Sequence, residues 1–399
     1  MTSQFDVAVI GAGMMGSAAA RHLALSGASV ALIGPPEPKD TASHTGVFAS
    51  HYDQARITRR ADGQRDWSRL SMESVARYAE IEEQGKTRFF HEVGSLIAGP
   101  ADPNNPVSTF MLDSSAVCDA HGIAYDYLDE AALQQRFPIF AFPEGVHAVF
   151  EAKNAGYVNP RAHVRAQIAA AESLGATLFP VEAARVEELG DTARVHCADG
   201  SKVEAANVIV ACGGFSKAEG LLAQPIPLKV YARTIALLEV DAAESERLKN
   251  MPTLIYDAPD RSLDSYILPP VAYPDGKTYL KIGGEPEDVV LDSIDDIKEW
   301  FRSGGNPDVA AGLADGLRGI MPGLRDAGVT CGSCVTTYTE TDRPIITRQT
   351  DRITTLIGGN GSSAKCSDEL GRIGAAVALG QDLGGNNGAA ALYETDFKP

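Results

Sequence analysis

The stretch Val7-Ala8-Val9-Ile10-Gly11-Ala12-Gly13-Met14-Met15-Gly16 runs from four apolar residues straight into three glycines spaced Gly-x-Gly-x-x-Gly. A short apolar run bounded by glycine reads as a strand buried on both faces, as in a parallel sheet. Ser17 to Ser26 follows with Ala- and Leu-rich helical spacing and stops at Gly27, a good helix-ending residue. Ala28 to Ile33 is a second apolar strand. The unit is therefore strand, glycine turn, helix, strand. In such a unit Gly11 permits the tight turn, Gly13 lets the backbone approach a diphosphate, and Gly16 lets the helix pack closely. Unpaired N–H groups at the helix start, around Met15, face the phosphates. One element departs from the pattern. The acid that holds ribose hydroxyls is expected near position 34, where this chain has Gly34. Glu37, after Pro35-Pro36, is the candidate substitute, and a solvated loop charge is the other reading.

Working outward, two more glycine-ended apolar strands appear, Val208 to Gly214 and Thr354 to Gly359. Helices are expected over Trp67 to Gln84, Asn159 to Leu174, Ile294 to Arg302 and Asp368 to Leu383, with a hairpin turn at Asp199-Gly200. Residues from about 43 to 65 are polar and rich in Ser, His, Arg and Gly, a loop of the kind that carries function. The N-terminal, middle and C-terminal strands would share one sheet. The expected fold class is α/β, a Rossmann-type dinucleotide-binding domain interleaved with a mixed-sheet α+β substrate domain. The expected division assigns 1–87, 146–222 and 325–399 to the first domain and 88–145 and 223–324 to the second.

The 399 residues suffice for two domains with large cores. A net charge of -18 argues against nucleic acid and anionic membrane surfaces as partners, because phosphate recognition needs clustered Lys and Arg. The six cysteines are scattered, unlike a disulfide framework. No apolar stretch is long enough to span a bilayer, and the first residues lack the basic start of a signal peptide, so a cytoplasmic protein is expected. All eight histidines lie at or before His196, and the chain contains neither HExxH nor GxSxG. Reactive chemistry is then expected from a cofactor, with the protein supplying orientation and electrostatics.

Four further segments resemble the D-amino acid oxidase-like flavoproteins, and most of all their monomeric sarcosine oxidase branch, which includes N-methyl amino acid oxidases. The first is Ser43-His44-Thr45-Gly46 with Arg56-Ile57-Thr58-Arg59, similar to the family's Ser-His-x-Gly and Arg-Ile-x-Arg over the flavin; residues 47–53 are an insertion. The second is Tyr266-Ile267-Leu268-Pro269 with Lys281-Ile282-Gly283, where Glu285 replaces a nearby family histidine. The third is Cys334-Val335-Thr336-Thr337-Tyr338-Thr339, where Thr336 replaces a family tyrosine. The fourth is the glycine-rich loop from Gly358 to Lys365, in which Ser362, Ser363 and Ala364 replace His-Gly-Phe.

The resemblance implies FAD as cofactor, with a covalent link through Cys334. It implies that Arg56 contacts flavin, that Arg59 and Lys365 bind a substrate carboxylate, that Tyr266 lines the substrate site and that Lys281 promotes reaction with oxygen. A planar guanidinium suits a carboxylate, and a fixed cation suits developing superoxide. Met15, Ser43, Ile57, Val186, Gly213, Gly359 and Gly361 complete the expected cofactor contacts. The implied reaction is hydride transfer from a secondary or N-methylated amino acid to flavin N5, with imine hydrolysis and oxygen reduction to hydrogen peroxide. Alternatives are a dehydrogenase with another acceptor, an oxidase of a primary amino acid, an NAD-dependent dehydrogenase and a non-catalytic flavin protein. The apolar strand around Lys281 is an unusual place for a lysine unless its charge is used; the bland alternatives are surface charges for Arg56 and Arg59, an edge-strand lysine for Lys281 and a plain buried cysteine for Cys334. Oligomeric state is not legible.

Overall fold

The computed structural model describes residues 4–284 and 287–381. Glu285, and the expected helix end at Leu383, lie outside these residues. The chain forms a mixed α/β structure built on two large sheets and one small one. In the first sheet Gln4–Ile10 is central, parallel to Val30–Ile33 on one side and Lys202–Val210 on the other. Thr177–Phe179 extends one edge in parallel, and Ile353–Ile357 runs parallel to Val208–Val210. The three glycine-ended strands thus do share a sheet. Val7, Ala8 and Val9 are fully buried, as a strand covered on both faces requires.

The glycines of the first turn are set by contact. Gly11 has φ +105°, open to glycine and strained for other residues. A Cβ on Gly16 would stand 1.8 Å from the Gly11 carbonyl oxygen, so the helix Met14–Leu25 starts against that turn only without one.

Two helices differ from expectation. Residues 67–84 are not one helix but two, Arg65–Ala76 and Tyr78–Gly85. The break falls at Arg77, whose guanidinium is drawn onto Asp368 at 2.6 Å. The last helix is Ser363–Ala378, beginning five residues before the expected Asp368, because the glycine-rich turn ends at Ser362. Asp368 is therefore inside a helix and fully buried, where it accepts from Arg77, from Gln167 at 2.8 Å and bonds His22 at 3.1 Å. This charge cluster ties the last helix to the first.

The second sheet has eight strands, ordered Val329–Tyr338, Lys229–Glu239, Thr278–Gly284, Ser265–Ala272, Thr253–Tyr256, Ser95–Pro100, Val146–Glu151 and Asp126–Leu128. Val146–Glu151 and Val329–Tyr338 come from segments expected in the dinucleotide-binding domain, yet they pair with strands from the other segments. A core of Leu238, Leu254, Ile267, Leu280 and Leu317 lies under this sheet. Arg56–Thr58, Gly156–Val158 and Phe90–His91 form the small third sheet. Among the described residues no helix is long and apolar enough to cross a membrane.

Candidate active site

A cavity of about 680 Å³ opens at the carboxyl ends of Gln4–Ile10 and Val30–Ile33 and runs between the two large sheets. The strand order turns there, on either side of the central strand, which is where open α/β sheets bind ligands. Gly11, Gly13 and Met15 line one part of the cavity. Gly359, Gly361, Ser363 and Lys365 line another, at the start of the 16-residue helix Ser363–Ala378. Two helix N-termini therefore face one volume, each with unpaired N–H groups and neither with an acid in its first turn. That donor set fits a dinucleotide whose diphosphate meets one helix start and whose ring, gaining negative charge on reduction, meets the other.

Gly34 lines the cavity, and its lack of a side chain has a steric cause: a Cβ there would come within 2.7 Å of the Ala12 nitrogen. Glu37 does not take over the missing acid's place. Its carboxylate points at Arg161, accepting at 2.6 and 2.8 Å, and it does not line the cavity. The acid that does line this region is Glu182, which accepts from Val47 N at 3.3 Å. Nothing in the sequence spacing marks Glu182, because it arrives from a strand edge more than a hundred residues later.

Residues 47–53 wall the cavity. Phe48 anchors them, stacked on Phe301 with ring centroids 4.9 Å apart. Val47 to Tyr52 line the cavity, and Asp53 turns inward, only 4% exposed. Asp53 accepts from Lys281 Nζ at 2.6 Å, Arg56 Nη1 at 2.5 Å and the Tyr273 hydroxyl at 2.9 Å. Burial pushes the Asp53 carboxyl upward, but the Lys281 and Arg56 charges outweigh it and hold it well below the usual range. Lys281 also donates to the Ala55 carbonyl at 2.8 Å. It is not an edge-strand lysine, since its strand pairs on both sides, with Leu237 and with Leu268. Burial, and then Arg56, lower its pKa to about 8 against the opposing pull of Asp53.

Arg56 Nη2 lies 3.2 Å from Cys334 Sγ, and both residues line the cavity. Trp300 Nε1 donates to the Cys334 carbonyl at 2.8 Å, fixing the strand. Cys331 and Cys334 stand three apart on one strand, so their side chains leave by opposite faces and do not act as a pair. Tyr266 lines the same region with the Lys281 ammonium 5.4 Å from its ring centre, and Gly283 makes room for it: a Cβ there would sit 2.3 Å from the Tyr266 hydroxyl.

Arg59 and Lys365, distant in sequence, meet at one carboxylate. Asp62 Oδ2 is 3.1 Å from Lys365 Nζ and 3.4 Å from Arg59 Nη2. Burial pushes the Asp62 carboxyl up, and the Lys365 and Arg59 cations reverse that and hold it low. The trio carries a net charge of +1, and Arg59 Nε is buried without a hydrogen-bond partner. The rings of Phe110 and Trp67 lie 5.8 Å from the Arg59 guanidinium and 5.6 Å from Lys365 Nζ. Asp62, three residues after Arg59, has no signal in the sequence beyond its charge. Thr336 and Ile57 also line the cavity, as does Gly213. Ser43 does not: it is exposed and donates to Asp40 at 2.5 Å. Val186 is half-buried and packs against the first sheet's core, and Ala183, three residues earlier, lines the cavity instead.

Residues 6–377 match the family described as FAD dependent oxidoreductase. The chain belongs to that family. This FAD-dependent oxidoreductase is 28% identical over 386 residues to a monomeric sarcosine oxidase of Bacillus sp. (strain B-0618), covering 95% of this chain and 93% of that one. It is 25% identical over 263 residues to an N-methyl-L-tryptophan oxidase of Yersinia pestis (strain Pestoides F), covering 65% of this chain and 66% of that one. Among solved structures it resembles the open form of NikD, an unusual amino acid oxidase essential for nikkomycin biosynthesis, with TM-score 0.73 and 20% identity over 98% of this chain and 97% of that one. The expected family, fold class and cofactor are thereby established.

Proposed function

We propose that this FAD-dependent oxidoreductase oxidises a small amino acid carrying a secondary or N-methylated amine, and passes the electrons to oxygen. The observation that carries the reading is the unpartnered, buried Arg59 Nε beside Lys365 and Asp62, in a cluster of net charge +1. Such a group is an open donor for one further anion, and a substrate carboxylate is the anion that suits a guanidinium. The sarcosine and N-methyltryptophan oxidases to which the chain is similar support the amine class.

Bound FAD would supply two-electron chemistry: a hydride from the carbon beside the amine nitrogen and the proton lost as the amine becomes an imine would together reduce oxygen to hydrogen peroxide, and water would hydrolyse the imine. The chain's own residues supply the rest. Arg59, backed by Lys365, fixes the carboxylate end and so the direction of the substrate. Tyr266 supplies an aromatic wall opposite. Lys281 does not itself line the cavity; it donates to Asp53 and the Ala55 carbonyl, and it would act on the site from behind the cavity-lining Arg56 and Tyr266. Gly11, Gly13 and Met15 would hold the diphosphate, Gly213 the chain between it and the ring, and Arg56, Ile57, Gly359, Gly361 and the following helix start the ring. Cys334, 3.2 Å from Arg56 Nη2, would be the residue that bonds the ring covalently.

A second reading has one observation in its favour. Asp53 offsets the Lys281 charge, which weakens the case for a cation serving oxygen and favours a dehydrogenase with another acceptor. The test compares N-methylated amino acids with the same amines lacking the carboxylate, measuring amine consumed and peroxide formed. Turnover confined to the carboxylated amines with one peroxide per amine supports the proposal. Turnover of both sets alike overturns the carboxylate role, and turnover only with an artificial electron acceptor overturns the oxidase role.

A further inference from the structure

The imidazole of His51 has no part in the function above, yet it stands in the dinucleotide's path. His51 belongs to residues 47–53 and lines the cavity. Its Nδ1 is buried and has no hydrogen-bond partner. That nitrogen lies 3.9 Å from the point a Cβ on Gly13 would occupy, and apart from Gly13 and its two chain neighbours no other heavy atom among the described residues lies within that distance. The second glycine of a dinucleotide turn is side-chain-free because a diphosphate approaches its backbone there. The vacant nitrogen therefore faces the space the diphosphate enters.

The surroundings agree. Tyr52 holds the ring edge-on at a centroid distance of 4.7 Å, limiting its rotation. Burial, then the Arg161 and Arg56 charges, depress the imidazole pKa to about 3, so the ring is neutral at ordinary pH and carries one N–H. The field from those two arginines favours an anion as its neighbour. A buried polar atom without a partner is uncommon in a folded protein and calls for an explanation in a bound group.

From this geometry we infer that His51 is a cofactor-binding residue, donating from Nδ1 to the diphosphate of FAD from the side opposite the helix N-terminus. It rests on the family's FAD dependence and not on the amine reading, so the two fail separately. This loop is then more than a wall: it closes over the diphosphate and supplies a donor to it.

The test uses the full chain in a C334S background, where only noncovalent binding remains, and reads FAD dissociation from the return of free-flavin fluorescence. His51→Phe should weaken FAD ~10-fold or more, as loss of a hydrogen bond to a charged group implies. Riboflavin, which lacks the diphosphate, should bind the variant and its parent equally. His51→Asn, whose amide nitrogen can replace Nδ1, should recover most of the loss. Equal FAD affinity in His51→Phe and parent overturns the inference, and so does an equal loss for FAD and riboflavin. Should His51→Phe fail to fold, nitrogen NMR of histidine-labelled unsubstituted holoenzyme decides it: a protonated, hydrogen-bonded His51 Nδ1 supports the contact and an unprotonated one contradicts it.

Discussion

Lys281 Nζ and Asp53 Oδ2 lie 2.6 Å apart, both almost wholly buried, and the same oxygen also accepts from Arg56 at 2.5 Å. One carboxylate from residues 47–53 therefore holds the cavity-lining Arg56 and the buried Lys281 behind it in place. An arrangement with two cations and one anion keeps a positive balance next to the cavity, which is what a site for a growing negative charge needs.

Replacing Lys281 with Met should slow reoxidation of the reduced enzyme by oxygen ~10²-fold while leaving reduction by substrate much less affected. Stopped-flow measurement of the two half-reactions separates them, and comparable losses in both would refute the role. The pH dependence has a definite sign. The Lys281 pKa is lowered to about 8, so the ammonium is charged below that value and neutral above it. Reoxidation should therefore fall as pH rises through about 8. Asp53→Asn removes the carboxylate that opposes this depression, so the break should move to lower pH.

At the other end, Arg59→Met should reduce kcat/KM for a carboxylated amine by ~10- to 100-fold, in keeping with a lost charge-assisted hydrogen bond. Asp62→Asn acts the opposite way. It raises the local charge by one and frees Arg59 and Lys365, so KM for the same substrate should fall. Steady-state kinetics of both variants checks the pair of signs.

Covalent attachment through Cys334 makes a simple prediction. Acid precipitation should leave the yellow colour in the pellet, and C334S should release it to the supernatant. Colour in the supernatant of the unsubstituted enzyme would limit Cys334 to packing beside Arg56.

Asp368 predicts a stability effect away from the cavity. Its side chain is fully buried and bonded to His22, Arg77 and Gln167. Asp368→Asn removes the buried negative charge that Arg77 faces and should cost about 3–5 kcal/mol in urea unfolding. Burial pushes this carboxyl up, but His22 and Arg77 hold it far below its ordinary 3.8, so its contribution is complete at neutral pH and is lost as pH falls below that ordinary value.

The sequence made the nucleotide half of the site legible because its constraints are local. Gly11 and Gly16 are needed by contacts within one turn, and the strand before them is buried on both faces. Arg59, Lys365 and Tyr266 could be named only through resemblance, and the structure does bring them to one cavity. What stayed hidden was made by long-range meeting. Asp62 and Asp53 read as ordinary loop acids until folding set each between two cations. For Glu37 two readings stayed open in the sequence, because Arg161, far along the chain, is what draws its carboxylate away from the cavity. Ser43 failed for a similar reason, its hydroxyl being taken by Asp40. Glu182 and His51 carry no spacing signal at all.

The most direct measurement is the visible spectrum of the FAD-loaded enzyme under anaerobic conditions, before and after adding an N-methylated amino acid. The account predicts that the flavin bands bleach with the amine and return when air is admitted. Flavin bands that stay unchanged across a panel of such amino acids, in an enzyme that dithionite still reduces, would contradict it.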